Sequence, residues 1–180
     1  MDGRERGFTL LELMIGLALL ALLLMLATPP LRELIAANRA AVHAQTVMTS
    51  LFLARTEAVK RNQRVTLCKS ADGAVCTRAG DWSQGWLVFV DESTFGSRDP
   101  VEEVVRIQQG LGDDFTLRNA NAANWYAYRP DGSAVSSGGL VTGTFRICPP
   151  NGDAKLAYRV ITNITGRPRV AKGIGSLSCP

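Results

Sequence analysis

A single carboxylate interrupts the apolar start of this chain. Glu12 lies within the run "GFTLLELMIGLALLALLLMLA", which extends from Gly7 to Ala27. A charged side chain at the centre of a membrane helix costs roughly 2.5–3.5 kcal/mol, and less near an end. The residue types leave two interpretations open. Either Glu12 extends to the lipid headgroups, or it pairs with a cation of another chain.

The remaining reactive side chains do not form a catalytic pattern. The chain has one histidine, His43, on a predicted helix, so no nucleophile–base pair can be assembled around it. No CxxC pair occurs, and we do not expect a zinc site. The acidic pairs at 91–92, 102–103 and 113–114 favour loops and turns, and they lack the alternating spacing of a calcium loop. We therefore expect no catalytic residue, no bound metal and no cofactor.

Four cysteines could form covalent cross-links. They are Cys68, Cys76, Cys148 and Cys179. An even number after a membrane-targeting segment favours disulfides in an oxidising compartment, and four cysteines allow three pairings. We favour Cys68–Cys76, because the turn dipeptide Asp72-Gly73 between them would join two hairpin arms. Cys148–Cys179 would then tie the C-terminus to the body of the protein.

The first sixty residues predict a long helix in two parts. The twenty residues from Phe8 to Ala27 would form about 30 Å of helix, enough to span a bilayer. Pro29 and Pro30 follow, and they are predicted to kink the helix. Beyond them, apolar residues at three-to-four spacing predict an amphipathic helix that continues to about Gln63. The predicted apolar stripe comprises Leu34, Ile35, Val42, Met48, Leu51, Phe52, Ala58 and Val59.

After Asn62 the apolar period changes to two, which predicts strands. The predicted strands are 64–68, 85–91, 103–108, 115–118, 125–130, 143–148, 157–163 and 167–171. Short connections with turn residues imply antiparallel pairing, and the helix stripe must cover one face of the resulting sheet system. The sequence therefore predicts an α+β fold, with a long kinked N-terminal helix and a β-rich head.

Positive charge is concentrated near the C-terminus. The segment 146–172 contains six basic residues and one acidic residue. Arg167 and Arg169 flank a proline, and an extended backbone points them to the same side. Two parallel guanidinium groups suit phosphate oxygens. Three interpretations stay open, namely DNA contact, a subunit interface, and a basic edge strand that prevents unwanted strand pairing.

The N-terminal run "GFTLLELMIGLALLALL" resembles the class III signal of type IV pilins and type II secretion pseudopilins. The resemblance implies that a prepilin peptidase cuts between Gly7 and Phe8, and that Phe8 is then methylated. It also supplies a cation for Glu12, the free amine of Phe8 on a neighbouring subunit. Two opposite charges in an apolar fibre core must meet or stay unpaired, so this contact would enforce axial register.

The same resemblance implies a division of the chain. The expected parts are a cleaved leader (1–7), a transmembrane and filament-core helix (8–30), an amphipathic helix (31–63) and a globular head (64–180). The expected partners are other pilins, the prepilin peptidase and the inner-membrane assembly platform. The protein is expected in the inner membrane with its head in the periplasm, and later in a cell-surface pilus or a periplasmic pseudopilus.

The head resembles the GspH/FimT group of minor pilins and pseudopilins. The resemblance rests on "LARTEAVKRNQRVTLC" and "WSQGWLVFVDE". The segment "TGRPRVAK" is similar to the Gly-Arg-x-Arg motif of FimT-type minor pilins, which bind DNA during natural transformation. It implies double-stranded DNA contact by Gly166, Arg167 and Arg169, with Lys172 as a helper. The expected function is a minor type IV pilin near the pilus tip, and the alternative is a minor pseudopilin of a type II secretion system.

Overall fold

The structure is a computed structural model that describes residues 8–112, 114–173, 175 and 178–179, without the side chains of 26–30. The chain forms two compact units, Met1–Ala36 and Ala37–Pro180. The predicted leader 1–7 lies outside the described residues. The predicted divisions at 30 and 63 stay predictions.

Helix α1 extends over Leu10–Arg61. Thr9 caps the N-terminus of the helix, because its hydroxyl oxygen accepts a hydrogen bond from the backbone amide of Glu12 at 3.2 Å. Asn62 follows the last helical residue and has a φ of 53°, in the left-handed region that commonly ends a helix. The amide of Gln63 then donates to the carbonyl of Ala58 at 3.2 Å, which satisfies a carbonyl of the last turn.

The N-terminal part of α1 exposes its apolar side chains. All described side chains from Phe8 to Met25 are exposed. Within the part of the chain whose side chains are described, no helix is both long enough and apolar enough to cross a membrane. The helical backbone continues through Pro29 and Pro30, whose side chains lie outside the described set, so the kink stays a prediction.

The buried stripe of α1 differs from the predicted one. It consists of Ala40, Ala44, Val47, Leu51, Ala54 and Ala58, at alternating spacings of four and three residues. The prediction is correct for Leu51 and Ala58, and Met48 packs partly against this core. It is wrong for Leu34, Ile35, Val42, Phe52 and Val59, which are exposed. Alanines suffice on the buried face because large side chains of the strands, among them Trp86 and Tyr126, belong to the same core and fill it.

In the described residues, nine strands form two antiparallel sheets. They are β1 (Val65–Lys69), β2 (Gly85–Val90), β3 (Val104–Gln109), β4 (Thr116–Arg118), β5 (Trp125–Tyr128), β6 (Ala134–Ser136), β7 (Gly143–Cys148), β8 (Tyr158–Thr162) and β9 (Pro168–Lys172). One sheet has the order β3-β2-β1-β5-β6, and the other has the order β4-β7-β8-β9. The eight predicted strands are confirmed to within two residues at each end. Strand β6 and a short 3-10 helix over Trp82–Gln84 were not predicted.

The five-stranded sheet is covered on both faces. One face joins the alanine stripe of α1 in the main core, together with Trp86 and Tyr128. The other face holds a second cluster of Cys68, Leu87 and Phe89, against which Trp125 packs. Strands β1 and β2 are therefore buried at every position. The prediction that the helix covers one face is correct, and the loops that follow β1 and β2 supply the second layer.

Both favoured disulfides are present. Cys68 and Cys76 are joined with a Cα–Cα distance of 5.5 Å, and Cys148 and Cys179 with one of 5.7 Å. The predicted hairpin between Cys68 and Cys76 is wrong, because Cys76 lies in a loop. The carboxylate of Asp72 organises that loop by accepting hydrogen bonds from the amides of Ala74 and Val75 at 2.8 and 3.1 Å. These hydrogen bonds lower the pKa of Asp72.

Candidate functional site

The first candidate site is the N-terminal segment. Gly7, on one side of the predicted cleavage, lies outside the described residues, and Phe8 is 85% exposed. Glu12 is the third residue of α1, and Thr9 immediately precedes the helix. Thr-x-x-Glu at a helix start is the capping-box pattern, and the partial positive charge of the helix N-terminus also favours an acid there. The Glu12 carboxylate therefore suits the start of its own helix, which the sequence reasoning missed although Thr9 was visible.

The surroundings of Glu12 are apolar and open. Leu11 and Leu13 are 68% and 58% exposed, and the side chain of Glu12 is exposed between them. A cation from another chain can reach such a carboxylate, and the pair would lose water if apolar helices closed around it. Charge-assisted contacts are stronger under those conditions than in water.

The second candidate site is the basic strand. Strand β9 lies at one edge of the four-stranded sheet. Arg167 and Arg169 are exposed, and Pro168 between them is buried, as the alternation of an extended strand requires. In the described part of the chain, neither guanidinium group has a hydrogen bond or an ion pair. Side chains alternate between the two faces of a strand, and Lys172 is four residues after Pro168. Lys172 therefore lies on the same face of the sheet as Pro168 and on the opposite face from the two arginines.

Gly166 shapes the turn that precedes β9. It has a φ of 72°, and an added Cβ would lie 2.8 Å from Tyr128 Cε1 and 2.9 Å from the carbonyl oxygen of Gly132. The hydroxyl of Tyr128 donates to the carbonyl of Gly166 at 2.8 Å. Burial raises the pKa of Tyr128 far above its usual value, so this donor stays protonated. Gly166 is therefore buried and positions the turn, whereas the arginines beside it face outward.

Other arginines share the outer face of the four-stranded sheet. Arg118 on β4 lies opposite Arg146 on β7, and Arg146 lies opposite Arg159 on β8. Arg169 lies opposite Ile161 of β8, on the same face. Like charges directly opposite one another are unfavourable by about 0.2–1 kcal/mol per pair. The fold thus places Arg118, Arg146 and Arg159, which are distant in sequence, in one row across three strands. Only the strand pairing reveals this row.

The acidic residues beside the five-stranded sheet form hydrogen bonds and ion pairs within the chain. The Asp91 carboxylate is buried, and it accepts hydrogen bonds from Arg64 Nη2 and Thr66 Oγ1, both at 2.6 Å. Glu103 forms an ion pair with Arg61 at 2.6 Å. Asp91 lies just after β2, as a loop residue would, but its side chain is buried. Asp113 lies outside the described residues.

Glu102 organises the loop between β2 and β3. Its carboxylate accepts hydrogen bonds from the amides of Glu92 and Asp99 at 2.8 Å, and of Ser93 at 3.0 Å. Burial by itself would raise the pKa of Glu102, but these hydrogen bonds outweigh it and the pKa is lowered. Glu102 is therefore a buried structural anion, and only 7% of it is exposed.

The single histidine packs as a helix residue. The His43 ring contacts the Phe115 ring edge-on, with 4.8 Å between the centroids. Among the described residues, no group of three or more His, Cys, Asp or Glu side chains is arranged to hold a metal ion.

Two known families match this chain. Residues 43–166 match the family described as type II transport protein GspH, and residues 2–28 match the prokaryotic N-terminal methylation motif. The pilin-like protein PilA1 of Thermus thermophilus is 33% identical over 137 residues, which cover 74% of this chain and 72% of that protein.

Solved structures share the fold. The type IV minor pilin FimU of Pseudomonas aeruginosa superposes with a TM-score of 0.58 at 19% identity, covering 79% of this chain and 96% of FimU. The minor pseudopilin EpsH of the Vibrio cholerae type II secretion system gives 0.53 at 15% identity, covering 78% of this chain and 98% of EpsH. A helix packed on antiparallel sheets, with a methylation motif at the N-terminal end of that helix, defines a pilin-like α+β protein. The chain belongs to the GspH family, and hence to the minor pilins and pseudopilins.

Proposed function

We propose that this chain is a minor type IV pilin, a structural and priming subunit near the pilus tip. A prepilin peptidase removes residues 1–7, and Phe8 becomes the methylated N-terminus. Before assembly, the protein is anchored in the inner membrane with its head in the periplasm. The assembly platform then inserts it into a filament with major and other minor pilins.

One observation carries this proposal, the apolar exposure of the first part of α1. The long apolar side chains from Leu10 to Leu24 are exposed in the described chain, and Glu12 is the acid among them. Burying one leucine side chain is worth about 1.5–3 kcal/mol. Lipid first, and then neighbouring helices of the same kind, would bury these side chains. The Phe8 amine of a neighbouring subunit would pair with Glu12.

Processing is tested by intact-protein mass spectrometry of the membrane-extracted chain. We expect the mature mass to correspond to residues 8–180 with one added methyl group. Gly7→Leu should retain the leader. Gly16→Leu is the matched control, because nothing lies within 4 Å of an added Cβ at Gly16, and it should still be cleaved. A wild-type chain that still begins at Met1 would refute the proposal.

The alternative is a minor pseudopilin of a type II secretion system. PilA1 is named a pilin-like protein, FimU is a type IV minor pilin and EpsH is a pseudopilin, so the relatives support both assignments. Fractionation of cells that carry a tagged chain separates the two. A type IV pilin should co-purify with filaments sheared from the cell surface, whereas a pseudopilin should stay with the cells, and its deletion should block protein secretion.

A second candidate function is the capture of double-stranded DNA by the basic strand. It is favoured by the exposure of Arg167 and Arg169, which have no partner in the described chain. Removing one arginine that binds a phosphate should reduce the salt dependence of binding by about one unit in the logarithmic slope. Gly166 would hold the turn, and Lys172 would contribute only where DNA wraps around the strand edge.

The DNA proposal is tested by gel retardation with the detergent-solubilised full chain. Arg167→Ala with Arg169→Ala should abolish salt-sensitive retardation and leave filament incorporation unchanged. Arg106→Ala with Arg129→Ala removes the same charge from exposed positions in and beside the five-stranded sheet and should retain binding. If the wild-type chain shows no retardation at low salt, the DNA proposal fails and the pilin assignment is unaffected.

A further inference from the structure

A basic groove lies near the 3-10 helix and the first residues after β4. Its central cavity, of about 490 Å³, is lined by Lys69, Arg78, Arg118, Arg146 and the acid Asp81. A cavity of about 220 Å³ shares Asn119, Ala120 and Arg146 with it. A third, of about 210 Å³, shares Arg78 and Asn124. These three cavities share lining residues, and together we call them the basic groove.

The charge of the basic groove is not balanced by its own walls. Asp81 is the one acid among the described lining residues, and it is already engaged by the Ser83 amide at 2.9 Å and by Arg118 Nε at 3.3 Å. Arg146 makes one hydrogen bond, to the carbonyl oxygen of Ser178 at 3.1 Å. The side chain of Arg78 is exposed and has no partner within the described chain. Guanidinium donors therefore remain available to an anion.

A buried lysine adds to this imbalance. Lys69 is 3% exposed, and its ammonium group donates to the carbonyl oxygens of Arg78 and Gly80, both at 2.9 Å. Burial lowers the pKa of Lys69, and the nearby Asp81 opposes that effect. An anion in the groove would favour the charged ammonium and would also relieve the repulsion along the Arg118–Arg146–Arg159 row.

We propose that the basic groove binds an acidic, extended peptide segment of a partner protein, with Arg78 and Arg146 pairing with its carboxylates. Planar guanidinium groups match carboxylates in a bidentate manner. The Asn124 amide side chain, which has no partner in the described chain, can serve a peptide backbone. The small residues Gly80, Ala120 and Ala123 leave room for such a backbone along the wall. This proposal goes beyond filament membership, because it needs no filament.

A nucleic acid fits the groove less well. Single-stranded binding relies on aromatic faces that stack with bases. The aromatic residues at the end of the groove are Phe95 and Trp125, and they stack on each other at 5.8 Å. The other face of Phe95 is covered by the Arg64 guanidinium group, 3.6 Å from the ring centroid.

The test is fluorescence anisotropy with the detergent-solubilised full chain at low salt. The probe is a labelled ten-residue peptide that alternates Glu with Ser, and its Gln counterpart is the neutral control. We expect the Glu peptide to bind and the Gln peptide not to bind. Arg78→Ala and Arg146→Ala should each weaken binding about tenfold, as removal of a charged hydrogen bond predicts. Arg129→Ala, an exposed arginine in the turn after β5, should change it less than about twofold.

Several results would overturn the proposal. These are equal binding of the Gln peptide, an equal loss in Arg129→Ala, no binding of the Glu peptide, or tighter binding of a ten-nucleotide single strand that displaces the peptide. Thermal unfolding of each variant checks its fold. If Arg146→Ala unfolds, Arg78→Ala decides the outcome, because the Arg78 side chain supports no contact in the described structure. Filament incorporation of Arg78→Ala should stay normal, which separates this proposal from the proposed function.

Discussion

Two parts of helix α1 differ both in the residues they carry and in whether those residues are buried. From Leu10 to Met25, α1 has long apolar side chains, and all of them are exposed, with Leu17 at 57%. From Ala40 to Ala58, its inner face is mostly alanine and is fully buried, as in Ala54 at 0%. The inner face of the later part is buried within the chain, because side chains of the two sheets pack against it. The earlier part has the apolar composition of a core, but its side chains are exposed in the described structure.

The largest expected effect concerns the cross-links that make the head self-sufficient. Replacing Cys148 and Cys179 by Ser opens a disulfide with a sequence separation of 31, and the free energy of unfolding should fall by about 3–4 kcal/mol. Urea unfolding followed by tryptophan fluorescence measures this, because all three tryptophans lie in the head. The Cys68 and Cys76 pair, with a separation of 8, should give a smaller loss of about 2–3 kcal/mol. Equal or absent losses would contradict the chain-entropy explanation.

The next effect compares the two parts of α1 directly. Ala54→Leu forces a larger side chain against the sheet and should lower the free energy of unfolding by about 1–3 kcal/mol. Ala21→Leu, at an exposed position of the earlier part, should change it by less than about 0.5 kcal/mol. Urea unfolding in the same detergent gives both values. Equal losses in the two variants would contradict the claim that the later part of α1 is buried and the earlier part is exposed.

A smaller effect depends on pH. Glu102 has a lowered pKa, so its stabilising contribution is present above the ordinary glutamate value of about 4.3 and disappears as the pH falls through the folded value below it. Glu102→Gln should reduce the free energy of unfolding by about 1–2 kcal/mol at pH 7. The difference from wild type should shrink at pH 3. A difference that does not depend on pH would mean that the carboxylate charge is irrelevant.

The sequence predicts the elements better than their contacts. Periodicity identifies eight of the nine strands, because they alternate apolar and polar residues or are continuously apolar. Strand β6 has only three residues, Ala134–Ser136, and gives no periodic signal. The buried stripe of α1 is mispredicted because large apolar residues suggest burial, whereas the strands supply large side chains such as Trp86 to the core and the helix supplies Ala44 and Ala54.

The candidate sites differ in the same way. Glu12 and the arginines of "GRPR" are visible in the sequence because each site lies within a few consecutive residues. The basic groove is not visible, since Lys69, Arg78, Arg118 and Arg146 come together only through the pairing of strands and the loops after β1 and β4. Residues 78–81 have no periodic pattern or motif in the sequence. Their role depends on the Lys69 ammonium group that binds two of the loop carbonyls.

The most direct test of the central claim separates the charge of Glu12 from its capping role. Glu12→Gln keeps a capping-box residue but removes the charge, whereas Thr9→Ala removes the cap and keeps the charge. The measurement is the fraction of each tagged variant that co-purifies with filaments, relative to its amount in the membrane. We predict that Glu12→Gln inserts normally and is largely excluded from filaments, while Thr9→Ala is incorporated close to wild-type levels. Normal incorporation of Glu12→Gln would contradict the pairing of Glu12 with a neighbouring subunit.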